Sequence, residues 1–150
     1  MQTSASSILV HLTFSTRDRT AWILPELEEA LHGRLAGVLR DCRSEALMLG
    51  GDRDHIHALV ALSPAWAVAD VVGEMKTSSM AWVRAHYRDL DRFQWQNGYG
   101  AFSVGQSGVA PVKRFIGAQK TSHRRTSFQD EFRRLCQKYE IAIDDATVWD

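Results

Sequence analysis

The run Asp54-His-Ile-His-Ala-Leu-Val-Ala-Leu62 constrains this chain more than any other segment. It is too short and too uniformly apolar after the histidines for an amphipathic helix, and it reads as a buried β-strand. Strand side chains alternate with period two, so His55 and His57 leave the same face with Cα atoms roughly 7 Å apart. That separation suits two ligands to one divalent cation, each offering a neutral imidazole nitrogen. Two histidines can equally border a core, so the pair needs a third partner to mean more. Alternation sends Asp54 to the opposite face, and it can support His55 only if the strand begins after it.

The flanking segments indicate how the strand is housed. Ile8, Val10, Leu12 and Phe14 alternate with other residues, giving a first strand with one core face and placing His11 on the other, as a structural histidine. Pro25 opens a helix with the stripe Leu27, Leu31, Leu35, Val38 and Cys42. A short strand, Ala46 to Leu49, leads through Gly50-Gly51-Asp52-Arg53 into the histidine strand as a hairpin. Ser63-Pro64 starts a helical region to about Tyr87, with Val68, Val72, Met75, Trp82 and Val83 at helical spacing. Phe93 to Val104 reads as a strand bent near Gly98 or Gly100. Ser107 caps a helix to about His123, and Ser127 caps a last one with the stripe Phe128, Phe132, Leu135 and Tyr139. This order predicts a single α+β domain over 1–150, a ferredoxin-like antiparallel sheet with helices packed on it.

Composition narrows the class. A chain of 150 residues with 45% hydrophobic content can bury a real core, and its apolar runs are too short to span a membrane. The first ten residues lack the basic and apolar regions of a signal peptide, so the expected setting is a reducing cytosol. Cys42 and Cys136 lack metal-site spacing and fall on apolar helix faces, as small core residues. Net charge is zero, yet Arg92 to Gln129 contains no Asp or Glu, while Lys113, Arg114, Lys120, Arg124 and Arg125 fall within it. Phosphates feel the local field rather than the total, so this quarter is a candidate polyanion surface; a solvated helix face is the alternative.

The helix from Val109 carries the remaining candidates. Val109, Val112 and Ile116 point to the core, and Phe115, Gln119 and His123 form a neighbouring stripe at spacing four. The Gln119 amide oxygen can complete a metal site with His55 and His57; alone, it would read as a solvated helix residue. Two imidazoles and one amide oxygen suit Mg²⁺ or Mn²⁺, the expected ions, less well than carboxylates would, and Mn²⁺ tolerates the nitrogen better. His123 reads as a phosphate contact or a surface residue rather than a fourth ligand.

Taken together, Asp54-His-Ile-His57, Trp95-Gln-Asn-Gly-Tyr-Gly-Ala-Phe-Ser-Val104 and Val112-Lys-Arg-Phe-Ile-Gly-Ala-Gln119 resemble the single-tyrosine transposases of the HUH endonuclease superfamily, of insertion-sequence and REP-associated type. The likeness runs from His11-Leu-Thr-Phe-Ser-Thr16 to Trp149-Asp150. It implies a metal-dependent enzyme that cuts and rejoins single-stranded hairpin DNA through a 5′-phosphotyrosine, keeping the bond energy in the covalent link. It also implies a homodimer with composite active sites, His55, His57 and Gln119 as metal ligands, and a nucleophilic tyrosine four residues before the glutamine. Here that position is Phe115, which has no oxygen to attack with. Tyr87, Tyr99 and Tyr139 lie in other segments. The chain is then a decayed copy or a variant made to stop cleavage, with DNA and metal binding intact. A binding-only hairpin-DNA protein is the alternative, and a hydrolase using bound water ranks last, for want of a carboxylate beside the histidines.

Overall fold

A computed structural model describes residues 4–123 and 125–150. Strand β1 (Leu9–Ser15), helix α1 (Pro25–Asp41), strands β2 (Glu45–Asp52) and β3 (His55–Ala61), helix α2 (Val68–His86) and strand β4 (Gly100–Val104) follow in order. The sheet order is β2-β3-β1-β4 with every neighbouring pair antiparallel. This is the ferredoxin-like arrangement expected from the pattern. Helices α3 (Val109–Gly117), α4 (Gln119–Ser122) and α5 (Phe128–Lys138) complete the chain. Among the described residues no helix is long and apolar enough to cross a membrane.

The two sheet faces are buried by different helices. Val10, Leu12, Phe14, Ile56, Ala58 and Val60 meet Leu27, Leu31, Leu35 and Leu39 of α1 and Val71, Val72 and Met75 of α2 in the main core. The opposite face carries His11, Thr13, His55, His57 and Phe102, beneath α3 to α5. A smaller cluster of Phe102, Phe128, Phe132 and Cys136 anchors α5 there. Ser127 caps α5 as expected, its Oγ accepting from Asp130 N at 3.1 Å.

Several boundaries differ from the sequence reading. Gly50 to Asp52 belong to β2, and the hairpin turn is Arg53-Asp54 alone. Gly51, at φ +148, leaves no room for a Cβ: one would stand 2.2 Å from His55 O. Gly50 is needed for a different reason, because a Cβ there would meet Ile116 at 2.7 Å. Helix α2 begins at Val68 rather than at Ser63-Pro64. Only Gly100–Val104 pairs as a strand in the segment from Phe93. Trp95 makes one isolated bridge to Thr16, just past the end of β1, and no longer ladder continues there. The helix expected from Ser107 to His123 starts at Val109 without a side-chain cap and breaks at Ala118, after Gly117, a poor helix former.

Candidate functional site

Strand β3 begins at His55, so Asp54 lies in the turn and escapes the alternation that would have sent it away. Its Oδ1 stands 2.7 Å from His55 Nδ1. This is the carboxylate–histidine arrangement that fixes the ring and aims Nε2 into the site. Gln119 Oε1 stands 2.7 Å from that Nε2. The break at Ala118 does not scatter the expected stripe. Gln119 Nε2 reaches back to Phe115 O at 3.4 Å, and His123 N donates to Gln119 O at 2.9 Å. The structure therefore brings His55, His57, Gln119, Phe115 and His123 to one place, with both imidazoles on the same sheet face.

His57 is held at both nitrogens. Its Nδ1 lies 2.8 Å from His11 Nε2, and its Nε2 lies 2.6 Å from Glu131 Oε1. An ionised carboxylate only accepts, so His57 carries the proton on Nε2 here and His11 donates to Nδ1. Burial pushes the His57 pKa down to about 4 against the pull of Glu131, and burial with His57 nearby pushes His11 down to about 3. His11 is thus a structural histidine, as expected, but its role is to orient His57.

Glu131 was not legible as a site residue. It comes from α5, is 4% exposed, and also accepts from Gln119 Nε2 at 3.1 Å. Burial raises its pKa, but the contacts with His123 and His57 outweigh that and hold it ionised, well below the usual carboxylate range. His123 Nε2 lies 2.9 Å from Glu131 Oε2 without hydrogen-bond alignment, so this contact acts through charge. Burial lowers the His123 pKa, and Glu131 more than reverses that, leaving it raised. His123 is therefore a partner of the carboxylate rather than a surface residue. The expected lack of a carboxylate beside the histidines is corrected by Glu131.

His55, His57 and Glu131 offer ligand atoms all within 4.8 Å of one another. With the Gln119 oxygen they form a mixed nitrogen and oxygen set that fits a divalent metal, whose charge the buried carboxylate would offset.

Phe115 sits edge-on to His57, ring centroids 5.2 Å apart, and 5.8 Å from the His11 ring. Phe115 and Glu131 line a cleft of about 250 Å³ whose wall includes Arg134 and Lys138. These two cations fall outside the acid-free stretch and were missed for that reason. Of the expected basic residues, Lys113 and Arg114 are exposed on α3, and Arg125 is exposed before α5. Lys120 is engaged instead, with Nζ 2.7 Å from Glu28 Oε2. Arg124 lies outside the described residues.

The family model described as "Transposase IS200 like" matches residues 4–119. A comparison with curated protein sequences finds no match. Among solved structures, a protein of Deinococcus radiodurans R1 assigned as a transposase superimposes with a TM-score of 0.66 at 19% identity, covering 79% of this chain and 95% of its own. A REP-associated tyrosine transposase, solved bound to a REP hairpin, gives a TM-score of 0.61 at 16% identity, covering 82% of this chain and 72% of its own. At these identities the likeness speaks to the fold.

Proposed function

The chain belongs to the IS200-like transposase family, and from that premise we propose that it binds single-stranded hairpin DNA at the His55–His57–Gln119 site, with strand cleavage disabled at Phe115. The placement of the Phe115 ring against His57, on the cleft shared with Glu131, carries this reading. A phenolic oxygen at that ring would face the space beside the imidazole pair. In the reaction the resemblance implies, that oxygen bonds to phosphorus and the 3′ oxygen leaves with a proton, giving a 5′-phosphotyrosine and a 3′-OH. Phenylalanine keeps the ring and little else changes in volume, so fold and binding survive while the bond-forming atom is gone.

His55, His57, Gln119 and Glu131 would hold Mg²⁺ or Mn²⁺, which when bound polarises the phosphate. Asp54 and His11 keep the two imidazoles in position. Lys113, Arg114, Arg125, Arg134 and Lys138 supply the field that draws the DNA backbone in. The REP hairpin held by the neighbouring transposase supports DNA of this shape as the ligand. Glu131 makes a weak general base, because His123 and His57 hold its pKa well below the usual carboxylate range, so hydrolysis by an activated water is the poorer reading.

The test is labelled hairpin oligonucleotide with Mn²⁺. The protein as it stands should bind without forming a covalent adduct, and Phe115→Tyr should form a 5′-linked one. Binding by both without cleavage by either would favour the binding-only alternative, and an adduct from the unaltered chain would end the assignment. A homodimer with composite sites would exchange α3 between protomers, whereas in the single chain Phe115 already stands at its own His57. A monomer by light scattering at micromolar concentration would rule out the composite arrangement.

A further inference from the structure

A second polar cavity, of about 380 Å³, is lined by Asp54 and His123, the neighbours of His55. Its walls include Arg19, Arg53, Arg125 and His123, with Asp52 and Asp54. The loop after β1 builds it. Thr16 N donates to Asp54 O at 2.8 Å, and Thr16 Oγ1 donates to Thr20 O at 2.7 Å, folding residues 17–20 over the β2–β3 turn. Within that loop Asp18 and Arg19 take φ values of 56 and 55, a left-handed conformation that is strained for non-glycine residues.

Arg19 lines the cavity, and its Nη1 is buried with no hydrogen-bond partner among the described residues. Arg19 as a whole is half-buried, but a buried cationic nitrogen is costly unless water or a ligand answers it. Neither carboxylate answers it. Asp54 is committed to His55, and Asp52 lies 4.0 Å from Lys120 Nζ. What remains is a set of guanidinium groups beside His123, whose ring centroid is 4.4 Å from that of His55. An anion with several acceptor oxygens would supply the missing partner, next to the His55–His57 pair.

We infer that this cavity is a phosphate subsite, with Arg19 as its inner contact and Arg53 and Arg125 at its rim, and that it holds a backbone phosphodiester of single-stranded DNA adjoining the one presented to the histidines. The inference rests on the DNA reading proposed above. Phosphate contacts position a strand without reading its sequence, so the subsite has no base preference.

The measurement is fluorescence anisotropy of a labelled hairpin oligonucleotide with a single-stranded arm, whose stem fixes the register, titrated over a range of salt. Arg19→Ala should weaken binding about tenfold at low salt and lower the slope of log K against log salt by about 0.7, one phosphate on a single strand. Its melting temperature should not fall, since the lost nitrogen has no partner in the free protein; a structural arginine would behave oppositely. Arg53→Ala should reduce the slope in the same direction, which keeps the test alive if the Arg19 variant does not fold. Replacing single phosphates of the probe by neutral methylphosphonate should reveal one position whose neutralisation weakens binding to the unaltered protein and adds nothing further with Arg19→Ala. Unchanged slopes in both variants, with binding by the unaltered chain intact, overturn the subsite and leave the DNA reading standing. No binding by the unaltered chain overturns both.

Discussion

Beneath α1 and α2 the central strands present Val10, Leu12, Phe14, Ile56, Ala58 and Val60, while beneath α3 to α5 the same strands present His11, Thr13, His55 and His57, just as deeply buried. The first face needs only apolar volume of the right size, because burial is non-directional and scales with area. On the second face each polar group needs a named partner. Thr13 Oγ1 donates to Ile56 O at 2.8 Å, His11 serves His57, and Glu131 serves His57, Gln119 and His123. One sheet therefore supports a hydrophobic core on one side and a charge-bearing network on the other. The network is the side that can respond to protons and, on the function proposed above, to metal and DNA.

The largest expected effect separates these two kinds of burial. Phe14→Ala should cost about 3–5 kcal/mol, a large share of the roughly 5–15 kcal/mol that holds a domain together. Glu131→Gln should cost less, about 1–3 kcal/mol, since it keeps the shape and loses the charge-assisted bonds. Thermal melts with and without Mn²⁺ distinguish them further. The metal-induced rise in melting temperature should persist in Phe14→Ala and shrink sharply in Glu131→Gln. Equal metal responses in the two variants would remove Glu131 from the ligand set.

The same contrast explains how much was legible beforehand. Helix α1 and strands β1 and β3 announce themselves by the spacing of Leu27, Leu31 and Leu35 and by the alternation through Phe14. That periodicity is itself the geometry of burial. His55, His57 and Gln119 were legible because chemistry-bearing residues stood at strand and helix spacings. Glu131 was not, although a signal was present: it falls three after Phe128 and four before Leu135, an acid inside an apolar stripe. Such a residue is either on a drifting helix edge or paired in the interior, and only the fold, by setting α5 over β3, decides between them. The segment from Phe93 was misjudged for a related reason. Its aromatic residues favour a strand, but Trp95 has only Thr16 to bridge to.

A smaller effect follows from the protons of the polar face. The folded pKa values of His57, about 4, and His11, about 3, lie below the ordinary 6.5, so both stay neutral in the fold. Below pH 6.5 the unfolded chain takes up protons that the folded chain refuses, and stability falls as pH drops towards 4. Glu131, depressed, adds to the acid loss once the ordinary carboxylate range is reached, while His123, raised, favours the fold below 6.5 and opposes part of the trend. Two histidines against one leave a net decline. Urea midpoints measured in chelator from pH 7 to pH 4 should therefore fall, and His11→Gln should flatten the curve. A midpoint independent of pH in this window would mean that the histidines are not buried neutral.

The smallest expected effect is at Lys120, which sits at the border of the polar face with its side chain 59% exposed and its charge answered by Glu28. An exposed pair of this kind contributes about 0–1 kcal/mol, so Lys120→Ala should leave the urea midpoint nearly unchanged. Its effect on DNA should also be slight, because a phosphate would have to displace Glu28 to gain the contact. Lys113 and Arg114, exposed on α3 with no ion pair among the described residues, are free of that competition. Each, replaced by alanine, should lower the salt slope of oligonucleotide binding by about 0.7, whereas Lys120→Ala should lower it by much less. If Lys120→Ala matches the other two, the pair with Glu28 opens on binding, and the cationic surface extends around α4 towards α1.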